Sequence, residues 1–316
     1  MSRRAWIAFA AASVIWGIPY LFIKIAVRGG VTPATLAWGR VTLAAIVLLA
    51  LARRAGTLTS LRGRLRWLVA YAIAEVSIPF PLIAAGEEHV ASSLAAITIA
   101  SVPLIGAVLA MRFDPSERPT PTRALGLVVG FAGVIALVGI DVAGRSDELL
   151  GTGAILVAAV GYAIGPMLIK HRMAGLDSRA SLGGSLAIAS VLLAPFALVD
   201  HPHRVPSVGA LASVALLGIV CTAAAFVIFA VLIHEAGTSR ATVITYVNPV
   251  VAVGLGVVLL GEQPGAGAVA GLLLILAGSW LSTGGRLPPS LRLLVARGRR
   301  YRREQPVSNA AEATCV

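Results

Sequence analysis

The chain has 316 residues, 58% apolar and only 13% charged, with a mean hydropathy of +0.89. A soluble domain carries about 25% charged residues to keep its surface wet, so a water-soluble globular fold is excluded. At ~20 residues per crossing the length holds at most about a dozen spans and no sizeable soluble domain besides. The net charge of +12 sits in short bursts between apolar stretches, a pattern of cationic loops at a membrane face and not of a nucleic-acid-binding surface. Cys221 and Cys315 cannot make a disulfide framework.

The start, Met1-Ser2-Arg3-Arg4 and then an apolar run, looks like a signal peptide. The run continues through Trp16, Pro19 and Tyr20 to Lys24, too long for an h-region, and is read as an uncleaved first helix. Apolar stretches predict ten spans, at 5–24, 33–52, 67–86, 92–111, 122–140, 149–170, 180–199, 208–233, 239–260 and 266–284. Short loops with Gly, Pro and charge separate them, among them Gly29-Gly30, Asp114-Pro115, Gly175, Pro202, Gly237 and Gly261 to Gly265, so neighbouring spans run antiparallel. Glu87-Glu88-His89 falls in one such loop.

With the N-terminus in the cytoplasm, twenty-one Lys and Arg fall inside and four outside (Lys24, Arg28, Arg145 and Arg204), while Arg40 lies within a span. This positive-inside bias supports ten spans with both termini cytoplasmic, in an inner (plasma) membrane.

The two halves also repeat. Thr32 to Leu36 falls on Ser178 to Leu182, and Ser92, Ser93 and Pro103 fall on Thr238, Ser239 and Pro249, each at a shift of 146. Pro19 falls on Pro166, and Glu117, Pro119, Gly126 and Gly133 fall on Glu262, Pro264, Gly271 and Gly278. Five helices is an odd number, so the second copy enters the membrane from the opposite side. The expected fold is an all-α integral membrane protein of ten transmembrane helices in two inverted five-helix repeats, 1–145 and 146–284, followed by a basic cytoplasmic tail, 285–316. Inverted repeats are common in secondary transporters, with the site between the halves near the midplane.

The second half reads Asn248-Pro249-Val250-Val251-Ala252-Val253, then Leu260-Gly261-Glu262, Gly271 and Gly278. The first half reads Pro103-Leu104, Glu117, Gly126 and Gly133, with Trp16-Gly17, Phe22-Ile23-Lys24 and Arg40 before them. Over residues 5–284 this resembles the drug/metabolite transporter superfamily, EamA type. One departure is Arg112 to Glu117, where the family usually has a Leu-Gly-Glu run. The resemblance implies two five-helix domains and export or exchange of small metabolites, without naming one.

Polar side chains at helical spacing share faces, and such stripes avoid lipid. They are Ser13, Trp16, Tyr20 and Lys24; Tyr71, Glu75 and Pro79; Thr98 and Ser101 beside Pro103; Tyr162 and Pro166; Thr222, Phe226 and Phe229; and Thr242, Thr245, Tyr246 and Pro249 with Asn248 adjacent. Together they would line an aromatic, weakly polar cavity for a small solute. Interhelical glue is the competing role for each Ser and Thr. Pro103 and Pro249, at matching places in the halves, are candidate hinges. Arg40, ~10 Å below the outer interface, is an anion anchor, a partner for Glu75 or a snorkelling side chain. Of fourteen acidic residues only Glu75 lies well inside a predicted span. Intramembrane acids are costly, which marks Glu75 as the candidate proton-coupling carboxylate.

Gly126-Leu-Val-Val-Gly130 permits close helix approach, chiefly within the chain, and leaves a homodimer open. The seven tail arginines suit anionic lipid headgroups. His234-Glu235 lacks the second His of a zinc protease, and no Walker A loop or G-x-S-x-G is present. No catalytic residue, metal or cofactor is expected. Competing classes are a membrane enzyme using Glu75 and Arg40, and a non-transporting scaffold. Reporter fusions test the topology: one after Arg145 should report the periplasm and one after Arg303 the cytoplasm, and a shared location would contradict the five-plus-five scheme.

Overall fold

The computed structural model describes residues 2–113, 120–142, 144–236 and 243–282, and among these every regular element is a helix. Eight helices are long and apolar enough to cross a bilayer: α1 (Arg3–Arg28), α2 (Pro33–Arg54), α3 (Leu65–His89), α4 (Ser92–Arg112), α5 (Pro121–Val142), α6 (Ser146–Arg172), α7 (Ser178–Val199) and α8 (Val208–Ala236). Two shorter apolar helices follow, α9 (Ile244–Leu260) and α10 (Ala266–Ser282), each of 17 residues. At 1.5 Å per residue these reach ~25 Å, against a hydrocarbon core of ~30 Å. Asp114, Glu117, Arg118, Thr242 and the basic tail lie outside the described residues.

Three elements depart from the expected spans. α1 bends at Ile18, because Pro19 has no N–H to give, and restarts with Pro19 at its first position to reach Arg28. α3 runs on to His89, so the expected loop Glu87-Glu88-His89 is its last helical turn. The ammonium of Lys24 offsets the negative end of that helix by donating to the carbonyls of Glu87 and, at 2.7 Å, Val90. α4 breaks at Ala100–Ser101, just before Pro103. α9, in contrast, passes through Pro249 without interruption.

Helices of one half pack on those of the other in a pattern that survives exchange of α1–α5 for α6–α10. α2 lies on α7, α4 on α9 and α5 on α10, while α1 pairs with α8 as α6 pairs with α3. The counterparts α5 and α10, and α2 and α7, meet antiparallel. Gly126 approaches Gly278 and Gly133 approaches Gly271, so the numbering rises along α5 as it falls along α10. On α2 and α7, Thr42 bonds Ser190 at 2.6 Å and Gly183 meets Leu48.

Both α3 and α8 carry a π-helical turn at the same place in their halves, Ala72–Ser77 and Ile219–Ala224. Such turns widen the backbone and often mark functional positions.

The α5–α10 contact has no room for a side chain. A Cβ on Gly278 would stand 2.2 Å from the Gly130 nitrogen and 2.5 Å from the Gly126 oxygen, both backbone atoms that cannot move aside. Gly278→Ala should therefore destabilise the bundle by about 1–3 kcal/mol. Gly254→Ala, with nothing within 4 Å of the added methyl, should be neutral. Thermal unfolding of the two variants in the same detergent checks this.

Candidate functional site

Inside the bundle the predicted residues separate into two groups and several outliers. The first group is aromatic. Trp16 of α1 packs against Phe229, 4.8 Å between ring centroids, and edge-on against Phe226 at 5.8 Å, both from α8. Beside it Asn248 of α9, with its amide oriented to satisfy both neighbours, donates to the carbonyls of Ser13 at 3.1 Å and Ile244 at 2.9 Å. Gly17 lets α9 approach: a Cβ there would fall 2.5 Å from Val251 Cγ1.

The second group is ionisable. Arg40 of α2, 7% exposed, donates from Nε to Thr222 Oγ1 at 2.9 Å and lays its guanidinium over the Phe80 ring, 4.1 Å from the centroid. Thr222 sits on the π-helical turn of α8, so the widened backbone presents the acceptor. Tyr162 of α6 meets Phe80 edge-on at 6.4 Å. Tyr20, Tyr162 and Glu87 lie within Coulombic reach of Arg40, and Tyr71 within reach of Glu75 and Tyr162. Glu75, Tyr162, Arg40, Tyr20 and Glu87 are thus each an electrostatic neighbour of the next.

Glu75 is held by the π-helical turn of α3 against α6. A Cβ on Gly165 would coincide with its Oε2, and one on Gly161 would strike the Ala74 carbonyl and Pro79. Gly161 and Gly165, four apart, therefore make the space for this carboxyl and its widened turn. Oε2 of Glu75 is buried without a hydrogen-bond partner. Arg40 does not pair with Glu75, one of the three roles open to it; its contacts are Thr222 and Phe80. Among the described residues no carboxylate lies within ion-pair distance of Arg40.

The outliers behave differently. Thr98 and Ser101 are buried but bond their own helix, Thr98 to Leu94 O at 2.8 Å and Ser101 to Thr98 O at 2.7 Å, where α4 breaks. Their polarity is used locally. Thr245 is exposed and Tyr246 half-buried on the first turn of α9. Pro103 lines a cavity of about 310 Å³ with Gly106, Met111, Arg123 and Ser282. A second cavity, about 290 Å³, is lined by Leu48, the Asp177–Arg179 ion pair, Phe226 and His234 among others. Both lie at the end of the bundle where the arginines and lysines of the connecting segments concentrate.

The opposite end is tied shut by bonds between the halves. Glu262, in the α9–α10 connection, accepts from the amides of Ser92 at 2.8 Å and Ser93 at 2.9 Å, the free N–H groups that open α4. Asp141 accepts from Gly267 and Ala268 at the start of α10, and the Asp200 carbonyl accepts from the hydroxyls of Thr32 and Thr35. The Ser207 amide donates to Gly29 O at 3.0 Å. Sequence reading placed Glu262 in the repeat and the family motif and Glu87 in a loop without giving either a site role, and it did not single out Gly161 and Gly165. The four-residue glycine spacing was the available signal for the last pair. Among the described residues no group of three metal-binding side chains exists.

Burial pushes the Glu262 carboxyl up, but hydrogen bonds from Ser93 and then Ser92 outweigh it and hold it below the ordinary carboxylate range. A depressed value means the tie is at full strength above the ordinary glutamate range, ~4.3, and is lost as pH falls through the lower folded value. Hydrogen exchange at the Ser92 and Ser93 amides, corrected for intrinsic rates, should lose protection on that acid limb. In Glu262→Gln the protection should be weaker at neutral pH and independent of pH.

A profile of the EamA-like transporter family matches residues 3–139 and again 149–284. The inner membrane transporter YedA of Escherichia coli, described as uncharacterized, is 30% identical over 264 residues, 81% of this chain and 82% of its own length. A protein of Streptantibioticus cattleyicolor described as a probable terminal-alkyne amino-acid exporter is 30% identical over 87% of this chain and 94% of its own. A solved crystal structure shares the fold with a TM-score of 0.64 at 22% identity, covering 88% of this chain and 97% of that one.

Proposed function

Since the chain belongs to the EamA-like transporter family, a family of membrane transporters, we propose that it is a secondary transporter, an exporter or exchanger, of a small solute that binds between its halves. Ten crossings in two inverted repeats, with both termini cytoplasmic, complete this reading. The antiparallel meeting of α5 with α10 and of α2 with α7 supports the inversion. The 21-to-4 division of Lys and Arg supports the orientation.

The observation that carries the reading is Arg40. A guanidinium 7% exposed amid apolar helices, with only a hydroxyl and an aromatic face as partners, is costly unless an anion completes it. Arginine's planar fork suits a carboxylate. Glu75 offers a site for an amine or a proton, and Trp16, Phe226 and Phe229 offer an apolar surface. A zwitterion with an apolar side chain fits all three, and the amino-acid exporter among the relatives is in keeping with that class. Sealed ties at one end and cavities at the other support a resting state open toward the cytoplasm. The basic tail, on this reading, holds anionic lipid headgroups, and the chain needs no cofactor and catalyses no reaction.

Efflux of radiolabelled apolar amino acids from proteoliposomes containing the purified protein tests this. The wild type should show efflux that depends on a pH gradient. Glu75→Gln keeps the shape and hydrogen bonding but cannot ionise, and should lower gradient-driven efflux by roughly tenfold or more, the equivalent of about 1.4 kcal/mol. Unchanged rates and unchanged pH dependence in this variant would make Glu75 a structural residue. Absence of efflux for the whole panel would remove the amino-acid class.

A further inference from the structure

Glu87 takes no part in the solute site described above, yet it is the most deeply buried acid of the described residues. It is 0% exposed, at the last turn of α3, and neither carboxyl oxygen has a hydrogen-bond partner. A carboxylate in that condition would carry a desolvation cost that no hydrogen bond offsets. The nearest cation, Lys24, is itself 7% exposed. It spends its ammonium on the main-chain carbonyls of Glu87 and Val90, leaving the carboxyl group alone.

The charged and titratable groups around Glu87 come from every element that packs on it. Lys24 and Tyr20 face it from α1, Arg40 from α2 and Glu262 from the α9–α10 connection. Glu88 and His89 follow it on α3. α6 packs on α3 here with Gly151 and Ile155 against Gly86 and brings no charge to it. Two of these groups also form the seal: Lys24 closes α1 onto the end of α3, and Glu262 closes α9–α10 onto the start of α4. Of these, the Glu262 bonds cross between the halves and would break if that end parted, while the Lys24 bonds lie within the first half and keep the ammonium beside Glu87. Water entering there would meet Glu87 with a cation already next to it.

We propose that Glu87 is a proton-binding site of the transport cycle, holding its proton while the Lys24–Glu262 end is sealed and releasing it when that end opens. The atom balance is simple: the Glu87 O–H bond breaks, the proton passes to water at the opened end, and the carboxylate left behind pairs with the Lys24 ammonium. Resealing requires a proton to return, so closure of this end is linked to proton uptake there. Glu75 lies at the other end of the Tyr162–Arg40–Tyr20 series of neighbours, and the two carboxyls are separate sites. The proposal rests on the transporter reading for its purpose, but its test needs no solute and no flux.

Infrared difference spectroscopy of the full chain in lipid nanodiscs, recorded while the pH is stepped, reads the carboxylic C=O band directly. At neutral pH the wild type should show a band that Glu87→Gln removes and Glu75→Gln leaves in place. Glu87→Asp should restore a band at an altered frequency. Glu262→Asp keeps the charge but is one methylene too short to reach both α4 amides. It should loosen the seal and move the loss of the Glu87 band to lower pH, by about one unit or more, since hydration favours the charged form. Loss of no band in Glu87→Gln, in a variant that stays monodisperse, would overturn the proposal. So would a band whose titration is the same in Glu262→Asp as in the wild type. A protein that moves no amino acid but shows both spectral effects would refute the solute assignment and leave the Glu87 site standing.

Discussion

Nothing in a hydrocarbon interior can hydrogen-bond a peptide group or hydrate a charge, and each polar atom in this bundle is placed by that constraint. Helix ends are where it bites hardest, because the first N–H and last C=O groups of a helix have no partner within it. Here the partners come from the other half of the chain. Glu262 receives the opening amides of α4, Asp141 those of α10, and the Asp200 carbonyl the hydroxyls of Thr32 and Thr35 on α2. Lys24 does the corresponding work for the carbonyls that end α3. The Lys24 bonds lie within the first half, whereas those of Glu262, Asp141 and Asp200 satisfy helix ends and join the two halves at once.

Glycine does for the lipid-facing side of the fold what these charges do at its end. Two helices can meet backbone to backbone only where neither carries a side chain, as α5 and α10 do at Gly126, Gly130, Gly133, Gly271 and Gly278. The same device appears on α6, where Gly161 and Gly165 admit the widened turn of α3 and the Glu75 carboxyl. Widened turns at matching places in α3 and α8 put Glu75 on one and Thr222, the partner of Arg40, on the other. The two halves have thus kept a backbone feature while assigning it different chemistry.

A transporter must hold polar groups where they can be exchanged for solute, so its site consists of groups whose partners are incomplete. Arg40 has a hydroxyl and a ring but no carboxylate. Glu75 has one oxygen without a donor, and Glu87 has two. Thr98 and Ser101 show a different case: buried and polar, each spends its hydroxyl proton on a carbonyl of its own broken helix. Incompleteness alone does not mark a site, since the hydroxyls of Ser77, Ser92 and Ser185 are also buried without a partner; what singles out Arg40, Glu75 and Glu87 is that the incomplete group can carry a charge.

Hydropathy, loop charge and the repeat are properties read along the chain, and with the motifs they determined the all-helical membrane class and the family resemblance; that Trp16 packs on Phe226 and Phe229 came from the tertiary structure. The properties read along the chain depend on the bilayer's thickness and on the solvation of single residues, which need no neighbours to be known. The partner of Arg40 was a different matter. Glu75 was the natural candidate by depth, yet the side chain turns to Thr222 and Phe80, because the direction of a long side chain is set by which helix packs beside it. The matching prolines also part company, Pro103 at a helix break and Pro249 within a continuous helix. The Glu87-Glu88-His89 run looks like a loop because three polar residues end an apolar stretch. Only the tertiary structure, by closing Lys24 and Glu262 over that end, decided that the turn is helical and that its first carboxyl is out of reach of water.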